Sequence, residues 1–451
     1  MGTERHDRET EPDQGTPRDR SPETPPAPDA DRPAPDEQSA PAPDAGRPAP
    51  DEESAPDSDR PAPDQQPTPA AADEQSAPAP DADRPAPDEQ RTPATADEQP
   101  VPTDADEQPA PTLGGKPGRR RLRRVLLAVL LVLALPLLTA ETALRLNYNG
   151  TPAPGALTRH KDALWLGHAW VDGRKTDTDV RALADRLRGT GIRDLYVHAG
   201  PLEHDGTLPK SAYRRAGWLT AAVHRELPGA RVQAWLGDVL ASEGPDGMRL
   251  ERAATRAAIV ESARGVLAAG FEGAHFDLEP LHSGDRDYLS LLDDLRALTR
   301  AHHALLSVAA HQIDPVPGFH SFWGTTTGHP KWWSQAYFGQ VARRVNQIAV
   351  MSYDTMQPLQ SLYGGYVAQQ TSLALEVTPR TTDLLMGLPF YHENRFGHWN
   401  HAETATAAVR GVRLGLSRTD AGRTRFGVAL YVDFAATEDD WTAYRKGWVR
   451  G

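Results

Sequence analysis

The stretch Gly273-Ala274-His275-Phe276-Asp277-Leu278-Glu279-Pro280 carries ionisable side chains at every second position of an otherwise apolar run. Side chains of an extended strand alternate between faces, so His275, Asp277 and Glu279 share one face and Ala274, Phe276 and Leu278 the other. Asp277 and Glu279 then lie roughly 7 Å apart at the Cα level. A carboxyl above a carboxylate in a partly dry site keeps its proton, because lost hydration and a neighbouring negative charge both favour the neutral form. Such a pair can perform acid catalysis near neutral pH. Glu279, closer to the strand's end, is the expected acid, with Asp277 one step deeper. The same residue types would also suit a metal pair with a neighbouring histidine, or an ion pair of the interior.

Other apolar runs close on polar residues too. His168, His198 and Asp238 end the first three, His311 and Asp354 the fifth and sixth, His392 and Asp433 the last two. A single strand-end Asp often caps the following loop, and a single His is commonly a hydrogen-bonded structural residue. Together they point to one site at one end of a sheet.

The elements that must position these groups alternate in a countable way. Strand candidates are Ala163–Trp170, Asp194–Ala199, Arg231–Asp238, Gly273–Pro280, Ala304–Gln312, Gln347–Asp354, Asp383–Tyr391 and Phe426–Phe434. Amphipathic stretches lie between them; in DVRALADRLRGTG, residues Val180, Leu183, Ala184 and Leu187 form one stripe, ended by Gly189 and Gly191. Eight strand-and-helix units in about 290 residues predict an α/β fold, a (β/α)8 TIM barrel, over 163–451. An open doubly wound sheet is the alternative, but no strand leads into a glycine-rich phosphate loop. In a barrel of this kind the site lies where strands end on the carboxyl face.

Glu272-Gly273-Ala274-His275-Phe276-Asp277-Leu278-Glu279 resembles the D-G-x-D-x-D-x-E signature of glycoside hydrolase family 18, the chitinases and endo-β-N-acetylglucosaminidases. LLSVAAH on strand five, Met351-Ser352-Tyr353-Asp354 on strand six (like M-x-Y-D) and Gly387-Leu388-Pro389-Phe390-Tyr391 on strand seven (like G-x-P-F-Y) resemble the same family, in order. The resemblance implies substrate-assisted retaining hydrolysis of β-linked N-acetylhexosamine glycans, the sugar's own acetamido oxygen attacking the anomeric carbon. On the family's pattern Glu279 protonates the leaving oxygen, Asp277 holds the acetamido group, Tyr353 donates to its carbonyl and Asp354 contacts the sugar. Asp238, His275, His311, Trp323, Tyr391 and Tyr431 are expected to line the substrate cleft. The chain departs from the signature at Glu272 and His275, where the family has aspartates, and has Tyr431 or Phe434 where the family has a tryptophan floor on strand eight. Few residues separate Tyr391 from the next helix, so the family's small insertion domain is absent and the cleft should be shallow, suiting short or branched glycans. In HSFWGTTTGHPKWW, Trp323 is a stacking platform candidate; Trp332 and Trp333, taken as helical, would point about 100° apart, placing at least one in the core.

Two other mechanisms fit parts of this pattern. Glu279 could act as acid/base with Glu393, in YHENRFG, as a covalent nucleophile, given carboxyls about 5 to 5.5 Å apart. A catalytically inactive glycan-binding barrel is the other, since fold alone does not fix function. A metal hydrolase would need a His-x-His pair on the first strand, where GHAW offers one histidine. The substrate-assisted route calls for no cofactor and no metal.

Composition separates these units from what precedes them. Residues 1–118 are almost entirely Pro, Ala, Asp, Glu, Gln, Thr and Arg, with RPAPD recurring at Arg32, Arg47, Arg60 and Arg84. So little apolar surface cannot offset chain entropy, and a disordered, partly polyproline-like tail is expected. It holds 29 acidic and 10 basic residues, a net charge of −19, so the chain total of −13 leaves +6 for the rest. Five of those charges are Arg119, Arg120, Arg121, Arg123 and Arg124, which leaves the barrel nearly neutral and a poor ligand for nucleic acid. Val125–Ala140 follows without a charge and spans about 24 Å as a helix, enough with arginine snorkelling to cross a bilayer. The expected organisation is a tail (1–118), a basic cluster and transmembrane helix (119–146), a linker (147–162) and the barrel. The arginines place the tail in the cytoplasm and the barrel outside, as on a bacterial cell surface. The absence of cysteine means that no disulfide braces the outer domain.

Overall fold

The computed structural model describes residues 119–450 apart from 243–245 and 396. The expected disordered tail lies outside the described residues. Strands β1 (Asp162–Leu166), β2 (Ile192–Pro201), β3 (Arg231–Val239), β4 (Gly273–Glu279) and β5 (Leu305–Ala310) are followed by the two-residue strands β6 (Gln312–Ile313) and β7 (Trp332–Trp333), then by β8 (Gln347–Val350), β9 (Asp383–Pro389) and β10 (Phe426–Tyr431). All but β6 and β7 close into one barrel in chain order, every pairing parallel, with β10 returning to β1. This is the expected (β/α)8 TIM barrel. Strands β6 and β7 form a separate parallel pair.

The helices in chain order are α1 (Arg119–Tyr148), α2 (Ala169–Asp172), α3 (Asp177–Leu187), α4 (Ala216–Glu226), α5 (Ala253–Ala268), α6 (Arg286–Ala301), α7 (Phe319–Thr327), α8 (Gln335–Ala342), α9 (Gln360–Val377), α10 (Ala405–Thr419) and α11 (Glu438–Tyr444). In α3 the stripe Val180, Leu183, Ala184 and Leu187 is buried against the barrel, and a Thr176–Asp179 capping box starts the helix. Gly189 then takes the left-handed conformation, φ 73°, that a residue with a Cβ rarely adopts.

Strand edges differ from expectation in three places. The first strand stops at Leu166 because Ala169–Asp172 turns into a helix that buries Trp170. The sixth barrel strand stops at Val350, and Tyr353 and Asp354 lie on the loop beyond it. There the backbone leaves the sheet as Ser352 Oγ donates to Gly387 O at 2.7 Å. Trp332 and Trp333 form β7 instead of a helical turn, and both are core: Trp332 Nε1 donates to Tyr366 Oη at 2.6 Å and Trp333 Nε1 to Leu281 O at 3.0 Å.

Below the mouth the barrel interior is polar yet satisfied. Ser307 Oγ donates to Gln233 Oε1 at 2.8 Å, and Gln233 Nε2 donates to Asp194 Oδ1 at 3.0 Å. Gln347 Nε2 reaches the other Asp194 oxygen at 3.0 Å, and Arg231 neutralises that buried carboxylate at 2.6 Å. Each member has a partner, the condition for polar groups in a core. At the base, Asp162 accepts from Tyr444 Oη at 2.8 Å and from Trp448 Nε1 at 3.0 Å, tying the C-terminal residues to β1.

Helix α1 carries a 23-residue segment, Leu126–Tyr148, long and apolar enough to cross a membrane. It ends seated on the barrel. Gly364 and Gly365 of α9 have no side chain because α1 occupies the space: a Cβ on Gly365 would overlap the Leu144 carbonyl, and one on Gly364 the Tyr148 ring. Carbonyls at and just past the end of α1 are satisfied from α10, where Arg418 Nη1 donates to Asn147 O at 2.6 Å and Arg410 Nη2 to Gly150 O at 2.8 Å. Arg410 also lies 5.0 Å from the centroid of the Tyr148 ring. The following residues are held as well, Ala153 N donating to Ser417 Oγ at 2.8 Å and Thr158 N to Trp448 O at 3.0 Å.

Candidate active site

Strand β4 delivers the carboxyl pair to the mouth. Its register pairs Gly237 with Asp277 and Trp235 with His275, so these four residues share the inward parity. Gly237 leaves room for Asp277: a Cβ there would sit 2.9 Å from the Asp277 carbonyl. Trp235 Nε1 donates to Asp277 Oδ2 at 3.1 Å, while Asp277 Oδ1 is buried with no hydrogen-bond partner. Burial pushes the Asp277 carboxyl above its usual range, and the Trp235 hydrogen bond opposes this. Glu279 stands at the rim with 28 % of its side chain exposed. Its surroundings withdraw water from it, and the charges of Asp277 and Asp354 add to the effect, so its carboxyl is raised well above the ordinary value; Arg395 pulls the other way. Of two coupled carboxyls, the outer one is therefore the better proton holder.

The loop after β8 brings Tyr353 and Asp354 to the same place. Tyr353 is buried, its ring 5.4 Å from that of Tyr431 and nearly parallel to it. Burial, then Tyr431 and the charges of Asp277, Glu279 and Asp354, raise its pKa, so its hydroxyl keeps the proton and can donate. Gly387 on β9 makes the fit possible, since a Cβ there would meet Val350 O at 2.8 Å and the Tyr353 ring at 2.9 Å. Asp354 accepts from Tyr391 Oη at 2.7 Å and from Arg395 Nη2 at 2.8 Å. Burial raises its carboxyl, but the close His398 ring, the Arg395 charge and Tyr391 outweigh it and hold the pKa below the ordinary range. Asp354 is thus the charged member of the group. Tyr431 also stands 5.6 Å from Trp165 and 6.0 Å from Trp235, edge to face, so aromatic rings floor the site.

The remaining expected residues divide. His311 backs the acid: its Nε2 accepts from Leu281 N at 3.0 Å, which places the ring proton on Nδ1, 3.7 Å from Glu279 Oε1. Burial, then the Lys331 and His282 charges, lowers the His311 pKa to about 3, so it is neutral. Trp323 sits half-buried on α7 with its ring edge-on to Trp332 at 5.2 Å, its described contacts leading to Asp354 only through Trp332 and Lys331.

Two expected cleft residues face elsewhere. His275 is fully buried beneath the site, stacked on Tyr196 at 3.8 Å, accepting from Trp165 Nε1 at 3.2 Å and donating from Nδ1 to Ser307 Oγ at 2.8 Å. Burial takes its pKa to about 3; it is a neutral link in the interior network and is out of a substrate's reach. Asp238 pairs in register with outward-facing Leu278, so its side chain leaves on the outer parity and accepts from His204 Nδ1 at 2.9 Å. Strand-end polarity had suggested Asp238 and alternation along β4 had suggested His275; parity removes the first and depth the second. His392 binds Asp440 at 2.8 Å, and Asp433 accepts from Trp170 Nε1 at 2.9 Å, so these two strand-end residues tie loops together. Glu393 is exposed on its loop.

Sequence reasoning missed Trp235, Lys331, Arg395, His398 and Glu403. Trp235 was within reach, since pairing the third strand with the fourth in register sets it opposite His275, on the inward face that also carries Asp277. The others come from irregular segments with no periodicity to read. Asp354, His398 and Glu403 have the spacing of metal ligands. Lys331 and Arg395 already supply two cations beside the two carboxylates, however, so the cluster has no uncompensated negative charge to draw a divalent ion.

No protein-family model matches the chain, and no curated protein matches it. Among solved structures it is similar to the spore cortex-lytic enzyme SleL of Bacillus megaterium, at 12 % identity over 64 % of this chain and 74 % of that one, TM-score 0.45. A class V chitinase of Pseudomonas fluorescens aligns at 12 % identity over 63 % of this chain and 98 % of that one, TM-score 0.42. A chitinase of Chromobacterium violaceum aligns at 13 % identity over 63 % and 98 %, TM-score 0.44.

Proposed function

We propose that the chain is a membrane-anchored, extracytoplasmic glycoside hydrolase that cleaves β-linked N-acetylhexosamine glycans by a substrate-assisted, retaining mechanism. The observation that carries this reading is the Asp277–Glu279 pair. Glu279 is a carboxyl with a raised pKa at the rim, and Asp277 Oδ1 is a buried acceptor without a donor. An acetamido N–H is a donor of the right kind for that oxygen, and a buried acceptor left unpaired costs about 1–3 kcal/mol that such a substrate would recover. With the acetamido nitrogen on Asp277, the Tyr353 hydroxyl can donate to its carbonyl and fix the oxygen for attack on the anomeric carbon. Glu279 gives its proton to the leaving oxygen as that bond breaks. Water then opens the oxazolinium intermediate, returning its proton to Glu279 and restoring the acetamido group. Asp354 contacts the sugar from the β8 loop, and Tyr391 and Tyr431 shape the floor. His311 bears on the acid from behind. Trp323 offers an outer stacking surface on α7.

The arginines before Val125 support an orientation with the barrel outside and the tail in the cytoplasm. Peptidoglycan and other N-acetylhexosamine polymers at a bacterial surface are substrates of the required class. Full-length protein in detergent should release chromophore from an aryl chitobioside, with inhibition by a thiazoline mimic of the cyclised acetamido group. Labelling of Glu393 by a fluoro-sugar, with no thiazoline inhibition, would overturn the mechanism in favour of a covalent nucleophile.

A further inference from the structure

Arg395, His398 and Glu403, absent from the sequence-based list of site residues, gather around Asp354, and Glu403 meets it through one peptide group. The carbonyl of Asp354 and the N–H of Thr355 belong to the same peptide plane. Lys331 Nζ donates to that carbonyl at 2.6 Å, and Glu403 Oε1 accepts from that N–H at 2.8 Å and from Thr355 Oγ1 at 3.0 Å. The plane is thus gripped from both sides. Asp354 needs such a grip, since its φ of 54° is in the left-handed region that a residue with a Cβ seldom occupies. The second Glu403 oxygen lies 3.2 Å from His398 Nδ1, and the same nitrogen lies 3.1 Å from Asp354 Oδ1. His398 is fully buried and aims its N–H squarely at neither oxygen, so one imidazole is shared between two carboxylates.

We propose that Glu403 and His398 are positioning residues for the acid site, Glu403 clamping the Asp354–Thr355 peptide and His398 bridging Glu403 to the Asp354 carboxylate so that it faces Glu279 in one orientation and with its charge intact. The role is distinct from that of Glu279, Asp277 and Tyr353, and it deepens the hydrolase reading on which it rests. The groups around the bridge come from several elements: Asp354 and Thr355 from the β8–α9 loop, Tyr391 and Arg395 from the β9–α10 loop, Lys331 from the residue before β7, and Tyr363 and Tyr366 from α9. Burial alone would lower the His398 pKa. The Asp354 and Glu403 carboxylates, 3.1 and 3.2 Å from its Nδ1, outweigh burial and raise it to about 9, so the bridge is an imidazolium at neutral pH. Asp354 in turn contributes to raising Glu279.

Glu403→Gln tests the bridge without dismantling the clamp, because the amide oxygen can still accept from Thr355. In full-length protein carrying labelled histidine, in detergent, one imidazole resonance that disappears in His398→Gln should titrate near pH 9. In Glu403→Gln it should titrate about 1 unit lower or more. On an aryl chitobioside, the alkaline limb of kcat should move down by a similar amount in Glu403→Gln, with KM little changed. Glu403→Ala, which also frees the peptide, should lose kcat at every pH. A merely structural glutamate would lower stability and leave the shape of the pH profile alone. A His398 resonance with an ordinary midpoint, or one unmoved by Glu403→Gln, would overturn the proposal. If the wild type shows no hydrolysis, the hydrolase reading fails and the resonance still decides whether the bridge exists.

Discussion

Glu279, the proposed acid, has the charges of Asp277 and Asp354 beside it, and that neighbourhood has a thermodynamic sign. Below the unfolded carboxyl pKa, about 4.3, folded and unfolded chains both hold the proton. As pH rises, the folded state keeps a proton that the unfolded state releases, so stability falls up to and through the raised folded value. Glu279→Gln removes this titration. It should melt at the same temperature as the wild type near pH 4 and higher than it at pH 8, while turnover drops by about 10²–10⁴. Melting curves at the two pH values and an aryl chitobioside assay check both halves. Trp235→Phe removes the one donor to Asp277, whose carboxyl should then rise further, moving the acidic limb of the kcat profile to higher pH. An unmoved limb would assign that limb to another group. At this scale the sequence was informative wherever a regular strand carried the residue: alternation alone placed Asp277 and Glu279 on one face. It failed at Asp238 because strand-end position was read without parity, and at Arg395, His398 and Glu403 because loop residues have no period.

At the level of elements, the eight strands and the α3 stripe were legible because period-2 and period-3.6 patterns survive in buried segments. The ends were not. The sixth strand looked continuous through Asp354, yet its pairing stops at Val350, since β9 offers Gly387 O to the Ser352 hydroxyl and the chain turns away. That exit sets Tyr353 against the backbone of β9. Gly387→Ala would place a methyl group 2.9 Å from the Tyr353 ring and 2.8 Å from Val350 O, both too close. It should cost about 1–3 kcal/mol of stability and, by displacing the tyrosine, lower kcat at least as much as Tyr353→Phe. Unfolding and kcat measured on the same preparations separate the two effects. A variant that loses stability and keeps full kcat would show that Tyr353 tolerates the shift.

For the molecule as a whole, composition separated the parts that sequence statistics distinguish best, an acidic low-complexity stretch, an apolar helix and a barrel. It did not foresee how the last two meet. The interval after Leu146 was expected as a linker between the helix and the barrel. Instead α1 enters a notch made by two adjacent glycines of α9, and arginines of α10 bind the carbonyls at its end. Gly365→Leu should lift α1 out of this notch. Trypsin should then cut after Arg145, whose side chain is exposed, roughly tenfold faster in full-length protein in detergent, with the barrel's own unfolding transition retained. Equal cleavage rates would mean that the notch contributes nothing to holding the helix. The proposed topology makes this joint a mechanical constraint. On that topology a head bolted to its mast could not swing, so the proposed catalytic mouth would work at one height and one tilt above the lipid, and glycan chains would have to be threaded past it by growth or turnover of the surrounding layer.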